Sequence, residues 1–347
     1  MAHIRSARLA VTSALGLALL SSGFPAGLLI ASTAALATPA PKSVPATKGW
    51  SAFRDAFLEG YFRHDPTFAV YQGRHDYDGR LPDLSEAGLT SFAAFLTDQI
   101  AKAQAFDAAQ LSKQDAFERD YLVSAARNRL FWLTDADQPH TNPAYYVGLL
   151  DPNVYIARNY ADAPTRMKAL TAFFRQVPRA ATQIRANLKT PMPVSFINYG
   201  VSGFQGFADF YATDAKAAFA DVKDTALQAQ FAEAAAAASK SMAEIAKWLE
   251  SQRATATQDY ALGAERFSRM LSATEMVNTP LDQLEAIGVA DLKRNQDALK
   301  AACADYAPGQ SIPACMEKMN ADKPADGPVA EARRQIPVLR KFVVEKD

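Results

Sequence analysis

Between Trp50 and Leu89 an aromatic helical face, a proline stop, glycine turns and a serine cap follow one another, and that order leaves few folds open. Trp50, Phe53, Phe57 and Tyr61 recur at i, i+3, i+7 and i+11, the spacing of one face of an amphipathic helix. Asp65-Pro66 ends that helix, because proline lacks an amide hydrogen and crowds the residue before it. Gly73 and Gly79 supply turns, and Ser85 stands where a second helix needs its N-cap. Leu89, Phe92, Leu96 and Ile100 then mark the face of that helix.

The same period continues along most of the chain. A helix is predicted from about Leu111 to Leu133, with Phe117 and Tyr121 one turn apart, followed by a loop from Asp137 to Pro143. Met167, Leu170, Phe174, Val177, Ala181, Ile184 and Leu188 keep the period through Pro178, which predicts one kinked helix rather than two. The longest predicted helix is capped by Thr213 or Asp214 and carries the stripe Leu227, Phe231, Ala235, Ala238, Met242, Ile245 and Leu249. Thr279-Pro280 opens a further helix with Leu284, Gly288, Leu292 and Leu299 on its inner side, and the last helix includes Ile336, Leu339, Phe342 and Val343. Only Tyr145–Leu150 and Val194–Phe207 are left as stretches that could be extended. The expected fold is mainly α, with few or no strands.

Arg5 and Arg8 precede two apolar runs, Leu9–Leu20 and Phe24–Ala37, and no further charge occurs before Lys42. The second run ends in Ala35-Leu36-Ala37, the small-residue pattern that signal peptidase cleaves. The whole span is long enough to cross a bilayer uncleaved, but the break at Gly23-Phe24-Pro25 and the Ala-x-Ala end favour cleavage. Residues 1–37 therefore read as a signal peptide, 38–49 as a Pro-rich mature terminus, and 50–347 as a helical domain of an exported, periplasmic or secreted protein. Cleavage removes two arginines and no acids, leaving 35 basic against 37 acidic residues. Such a balance gives no electrostatic reason to bind nucleic acid or an anionic membrane. Cys303 and Cys315 are the two cysteines. In an oxidising compartment their even number favours a disulfide over two buried thiols.

TFAVYQGRHDYDGRLPDLS, then DAPTRMKALTAFFRQVPRAATQIRANLKTPMPVSF and DYALGAERFSRMLSATEMVNTPLDQLEAIGVADL, resemble successive blocks of the bacterial family catalogued as domain of unknown function 885. The resemblance spans most of Trp50–Asp347. It implies an exported, zincin-like relative of the zinc metallopeptidases, acting on peptides, with a HExxPGH-like zinc signature in the C-terminal half. In that signature two histidines one helical turn apart hold zinc and a glutamate serves as general base. This chain has four histidines, His3, His64, His75 and His140, and no His-x-x-x-His pair. No catalytic or metal-binding residue of the family's type is therefore expected in it, and zinc is expected only in a full-length member. RRQIPVLRKFVVEKD ends on a periodic apolar helix without a C-cap, like an interior position of the family domain. The chain thus reads as the N-terminal helical portion of a longer protein, inactive alone, with apolar faces exposed where the remainder belongs. The alternative is a non-catalytic helical periplasmic module that binds a peptide or partner.

Other patterns yield to plainer readings. His75 lies among Asp76, Asp78 and Asp83, but with Gly79 at the turn position Arg74 and Ser85 fall where a calcium loop needs acids. A solvated turn fits better. His64, before Asp65-Pro66, fits a helix C-terminus, where an imidazolium interacts with the helix dipole. Gly200-Val201-Ser202-Gly203-Phe204 lacks the last glycine of a nucleophile elbow, there is no Ser-x-x-Lys pair, and no Gly-rich phosphate loop is present. Asn198, Tyr199 and Gln205 are the candidates for lining a substrate cleft, in what reads as a Gly- and aromatic-rich loop.

Overall fold

The computed structural model describes residues 49–346. The predicted signal peptide and nearly all of the Pro-rich terminus lie outside the described residues. What is described is mainly α, with no strand among the described residues beyond one isolated parallel bridge between Pro193 and Thr257.

The chain opens with α1 (Trp50–His64), α2 (Pro66–Tyr71), α3 (Glu86–Gln104) and α4 (Lys113–Leu130). Asp65 both ends α1 and caps α2, its carboxylate accepting from the Phe68 amide at 3.0 Å, with Pro66 in the first position that tolerates a missing N–H. Ser85 caps α3 through the Gly88 amide at 3.2 Å, and Ser112 caps α4 through the Asp115 amide at 3.1 Å. Trp50, Phe57, Leu89, Phe92, Leu96, Leu122 and Val123 form one buried cluster from α1, α3 and α4. A π-helical turn, Phe131–Asp135, follows α4. The predicted face at Phe117 and Tyr121 is not a core face: both rings are exposed and stack on each other 6.2 Å apart.

Three short helices come next: α5 (Gln138–Thr141), α6 (Ala144–Val147) and α7 (Asn153–Ala157). The segment predicted as a loop from Asp137 to Pro143 thus contains a helical turn, started by Asp137 in the left-handed region at φ 49°. Tyr145–Leu150 is helical, not extended, passing from α6 into a 3-10 turn at Gly148–Leu150.

The main core is built by α8 (Ala163–Asn187), α9 (Val194–Ala212) and α11 (Thr225–Ser251), with the short α10 (Asp214–Ala217) between the last two. α11 packs along both α8 and α9. Every residue of the predicted stripes on α8 and α11 is buried, from Met167 to Leu188 and from Leu227 to Leu249. α8 runs unbroken through Pro178 because Phe174, Val177, Ala181 and Ile184 are buried on either side of it. Asp224, not Thr213 or Asp214, caps α11; its carboxylate accepts from the Leu227 amide at 2.9 Å.

α9 corrects the second stretch left as possibly extended. Ile197, Gly200, Phe204, Ala208 and Tyr211 form its buried face. A glycine in a helix costs about 1 kcal/mol against alanine. Fully burying one large apolar side chain contributes roughly 1.5–3 kcal/mol, so packing wins over propensity. Gly200 is needed for that packing: a Cβ there would lie 2.7 Å from Leu249 Cδ1 and 2.8 Å from Pro143 Cγ.

The last part of the described chain is α12 (Ala264–Glu275), α13 (Leu281–Tyr306), α14 (Ile312–Ala321) and α15 (Gly327–Lys346). Pro280, rather than Thr279, occupies the N-cap position of α13. α12 lies against α4 and pairs with the π-helical turn after it through Arg269 and Asp135 at 3.4 Å. Between Gln252 and Lys346 only Cys303, Ala307 and Cys315 are buried. The predicted inner side of α13 is therefore largely solvent-facing, with Leu292 57% exposed, and on α15 Ile336 and Phe342 are 60% and 58% exposed.

Candidate functional site

The residues singled out as cleft candidates all belong to one helix. Asn198, Tyr199 and Gln205 all lie on exposed positions of α9, not in a loop. Asn198 accepts a hydrogen bond from Arg253, and Gln205 donates to Asp209 at 2.9 Å. These are surface contacts between neighbouring turns and helix ends.

The histidines are dispersed. His64 ends α1, but its ring is half-buried between aromatic neighbours, 5.1 Å from Phe92 and 5.0 Å from Phe95. Burial, with Arg63 nearby, lowers its pKa below 6.5, so the neutral ring packs rather than answering the helix dipole with a charge. His75 stacks flat on Tyr160 with centroids 3.5 Å apart, and its Nδ1 is 3.1 Å from Asp78. Tyr160 donates to the other oxygen of Asp78 at 2.9 Å, so this turn is an interlocked side-chain cluster.

His140 is the centre of a different arrangement. Its Nε2 is 2.7 Å from Glu86 Oε2, and its Nδ1 is hydrogen-bonded to Asp137 Oδ1. Lys189 adds its ammonium to the other Asp137 oxygen at 3.2 Å and its backbone amide to the His140 carbonyl at 2.8 Å. Each partner is fixed by local structure. The Ser85 cap sets Glu86 in the first turn of α3, and the left-handed Asp137 starts α5. Asn187, buried at the end of α8, donates to Leu84 O at 2.7 Å and to the Tyr146 hydroxyl at 3.0 Å, while Tyr146 donates to Pro139 O at 2.6 Å. Beside this corner is an open cleft of about 600 Å³, lined in part by Ser85, Glu86, His140, Gln183 and Lys189. Partial burial acts to lower the His140 pKa, but the Asp137 and Glu86 carboxylates more than offset it and hold it above 6.5.

Chemically, both imidazole nitrogens are engaged by carboxylates in this arrangement. Glu86 and Asp137 bind opposite nitrogens of the ring and so do not converge on one point. Among the described residues no three His, Cys, Asp or Glu side chains are grouped to hold a metal ion. Zinc, the ion that the family resemblance implies, does not fit the residues described here.

Two further side-chain pairings are present. Arg129 lies between the Phe92 and Tyr145 rings, 5.5 and 5.3 Å from their centroids, and reaches the buried Asp65 at 3.4 Å. Sequence spacing offered no signal for that pair or for His140 with Glu86, since the partners lie 64 and 54 positions apart. Cys303 in α13 and Cys315 in α14 are joined as a disulfide, with Cα atoms 5.8 Å apart.

Residues 66–347 match the family described as "Bacterial protein of unknown function (DUF885)". The chain belongs to this family. No curated protein matches it. Among solved structures, the DUF885 chain is similar to a protein from Shewanella oneidensis described as a candidate lipoprotein of unknown function, at 23% identity and a TM-score of 0.68. That match covers 86% of this chain and 57% of the Shewanella chain, and at this identity it speaks to the fold alone. No described helix is long and apolar enough to cross a membrane.

Proposed function

We propose that this DUF885 chain is the N-terminal helical part of an exported protein related to the zinc metallopeptidases. In this reading α12–α15 form a wall of the peptide-binding cleft, and the zinc-bearing part lies outside the chain. The observation that carries the proposal is the unpartnered apolar surface of α13 and α15, where Ile287, Leu292, Ile336, Leu339 and Phe342 are exposed along periodic helices. The longer Shewanella chain, of which this one matches 57%, supports it. The Ala35-Leu36-Ala37 pattern supports export, and the predicted signal peptide supports an oxidising compartment for the cysteine pair.

Purified chain beginning at Thr38 should bind no stoichiometric zinc by metal analysis after dialysis and should leave unstructured peptides uncut. Mixed with the C-terminal part of a longer family member, α13 and α15 should gain protection from amide exchange. Stoichiometric zinc or peptide cleavage by the chain alone overturns the proposal, as does an unchanged exchange pattern on α13 and α15 in the mixture.

A further inference from the structure

Three separate stretches of chain meet at His140: the start of α3 through Glu86, the α5 turn through Asp137, and the residues after α8 through Lys189. We propose that this junction is a proton-operated latch. With His140 protonated, the first turn of α3 is held against the α5–α8 corner and bounds the cleft beside it. With His140 neutral, Glu86 is released and that side of the cleft opens.

The donor count gives the mechanism. An imidazolium donates from both nitrogens, whereas the neutral ring donates from one and turns a lone pair toward whatever faces the other. The proton leaves to solvent, and one carboxylate then faces a lone pair. Asp137 stays in place, because it is three residues from His140 and keeps Lys189 as a second donor. Glu86 has a side chain 69% exposed and can turn into water. Its release is confined to the start of α3, because Asn187 still holds the Leu84 carbonyl at 2.7 Å. Release therefore frees the Glu86 side chain while the end of α8 keeps Leu84 in place.

The surrounding charged and titratable groups leave His140 as the switching element. Glu86 faces it from α3, Asp137 from its own turn and Lys189 from beyond α8. On α6, Tyr146 approaches through Pro139, and burial raises its pKa further above the neutral range. Asp83, before the Ser85 cap, is paired with Arg179 at 3.8 Å and bonded to Gln183. The sign follows from the direction of the His140 shift. A histidine whose pKa is raised on latching contributes fully below the ordinary value of 6.5, and its contribution is lost as pH rises through the raised value. The latch closes on the acid side and opens on the alkaline side.

The test is an NMR titration of the His140 ring in the full chain, with amide protection factors for residues 85–89 measured from about pH 5.5 to about pH 8.5, the range in which histidines switch. His140 should titrate above 6.5. Protection at 85–89 should fall through the same midpoint, by about tenfold for each pH unit that separates the latched and open transitions. Glu86→Gln, at an exposed position, should bring the midpoint down and carry the protection step with it. His140→Gln should remove the step altogether. A midpoint at or below 6.5, a midpoint unmoved by Glu86→Gln, or protection that stays level through the His140 transition would each overturn the latch.

Discussion

At the residue scale, glycine position matters more than glycine content. Gly200, Gly203 and Gly206 lie in one helix, yet a methyl group would meet different surroundings at each. At Gly200 it would press into Leu249 and Pro143, at Gly203 into Val147 Cγ2 at 2.9 Å, and at Gly206 it would meet nothing within 4 Å. Gly200→Ala should therefore destabilise the fold by about 1–3 kcal/mol through overpacking. Gly206→Ala should stabilise it by about 0.5–1 kcal/mol by restricting the unfolded chain and favouring the helix. Urea unfolding of the two variants decides the point, and equal effects would contradict the close approach of α9 to α11. Asp65 illustrates a different demand on one residue. It caps α2 and faces Arg129, so its carboxylate serves a helix terminus and a partly buried cation together.

At the element scale, helices with a buried stripe and helices without one should behave differently. α8, α9 and α11 bury continuous faces against each other, whereas α14 is tied mainly to the end of α13 by Cys303–Cys315. A disulfide closing a loop of this size restricts the unfolded segment by about 3 kcal/mol. Its effect should stay local, because the pair and Ala307 form a small cluster apart from the main core. Reduction should raise amide exchange through Ile312–Ala321 while leaving the exchange of α8 and α11 unchanged. Loss of protection in α8 on reduction would show that the C-terminal hairpin supports the core after all.

At the scale of the whole molecule, the stripe on α15 is the least satisfied apolar surface. Ile336, Val338, Leu339, Phe342, Val343 and Val344 are all at least 58% exposed. Contiguous apolar surface of this kind drives association. The chain alone should self-associate with rising concentration in sedimentation velocity. The double variant Ile336→Lys, Phe342→Lys should reduce that association and leave the urea midpoint of the main core unchanged. A wild-type chain that stays monomeric at high concentration would argue against an unpartnered surface.

The sequence by itself determined the helical class, the stripes of α8 and α11, the caps at Ser85 and the stop at Asp65-Pro66, and the family. These depend on contacts within a few residues or on a period of 3.6, which one linear pattern records. It also identified the faces of α13 and α15 as apolar, but a period cannot say whether a partner covers them. Only the tertiary structure decided that Val194–Phe207 is a helix, because the gain comes from surfaces on α11 and α6 that no local window contains. The same holds for His140, whose partners Glu86 and Lys189 lie 54 and 49 positions away in sequence and meet it only because α3 begins and α8 ends at one corner. Local order was legible because local physics wrote it; the site was not, because packing between distant elements assembled it.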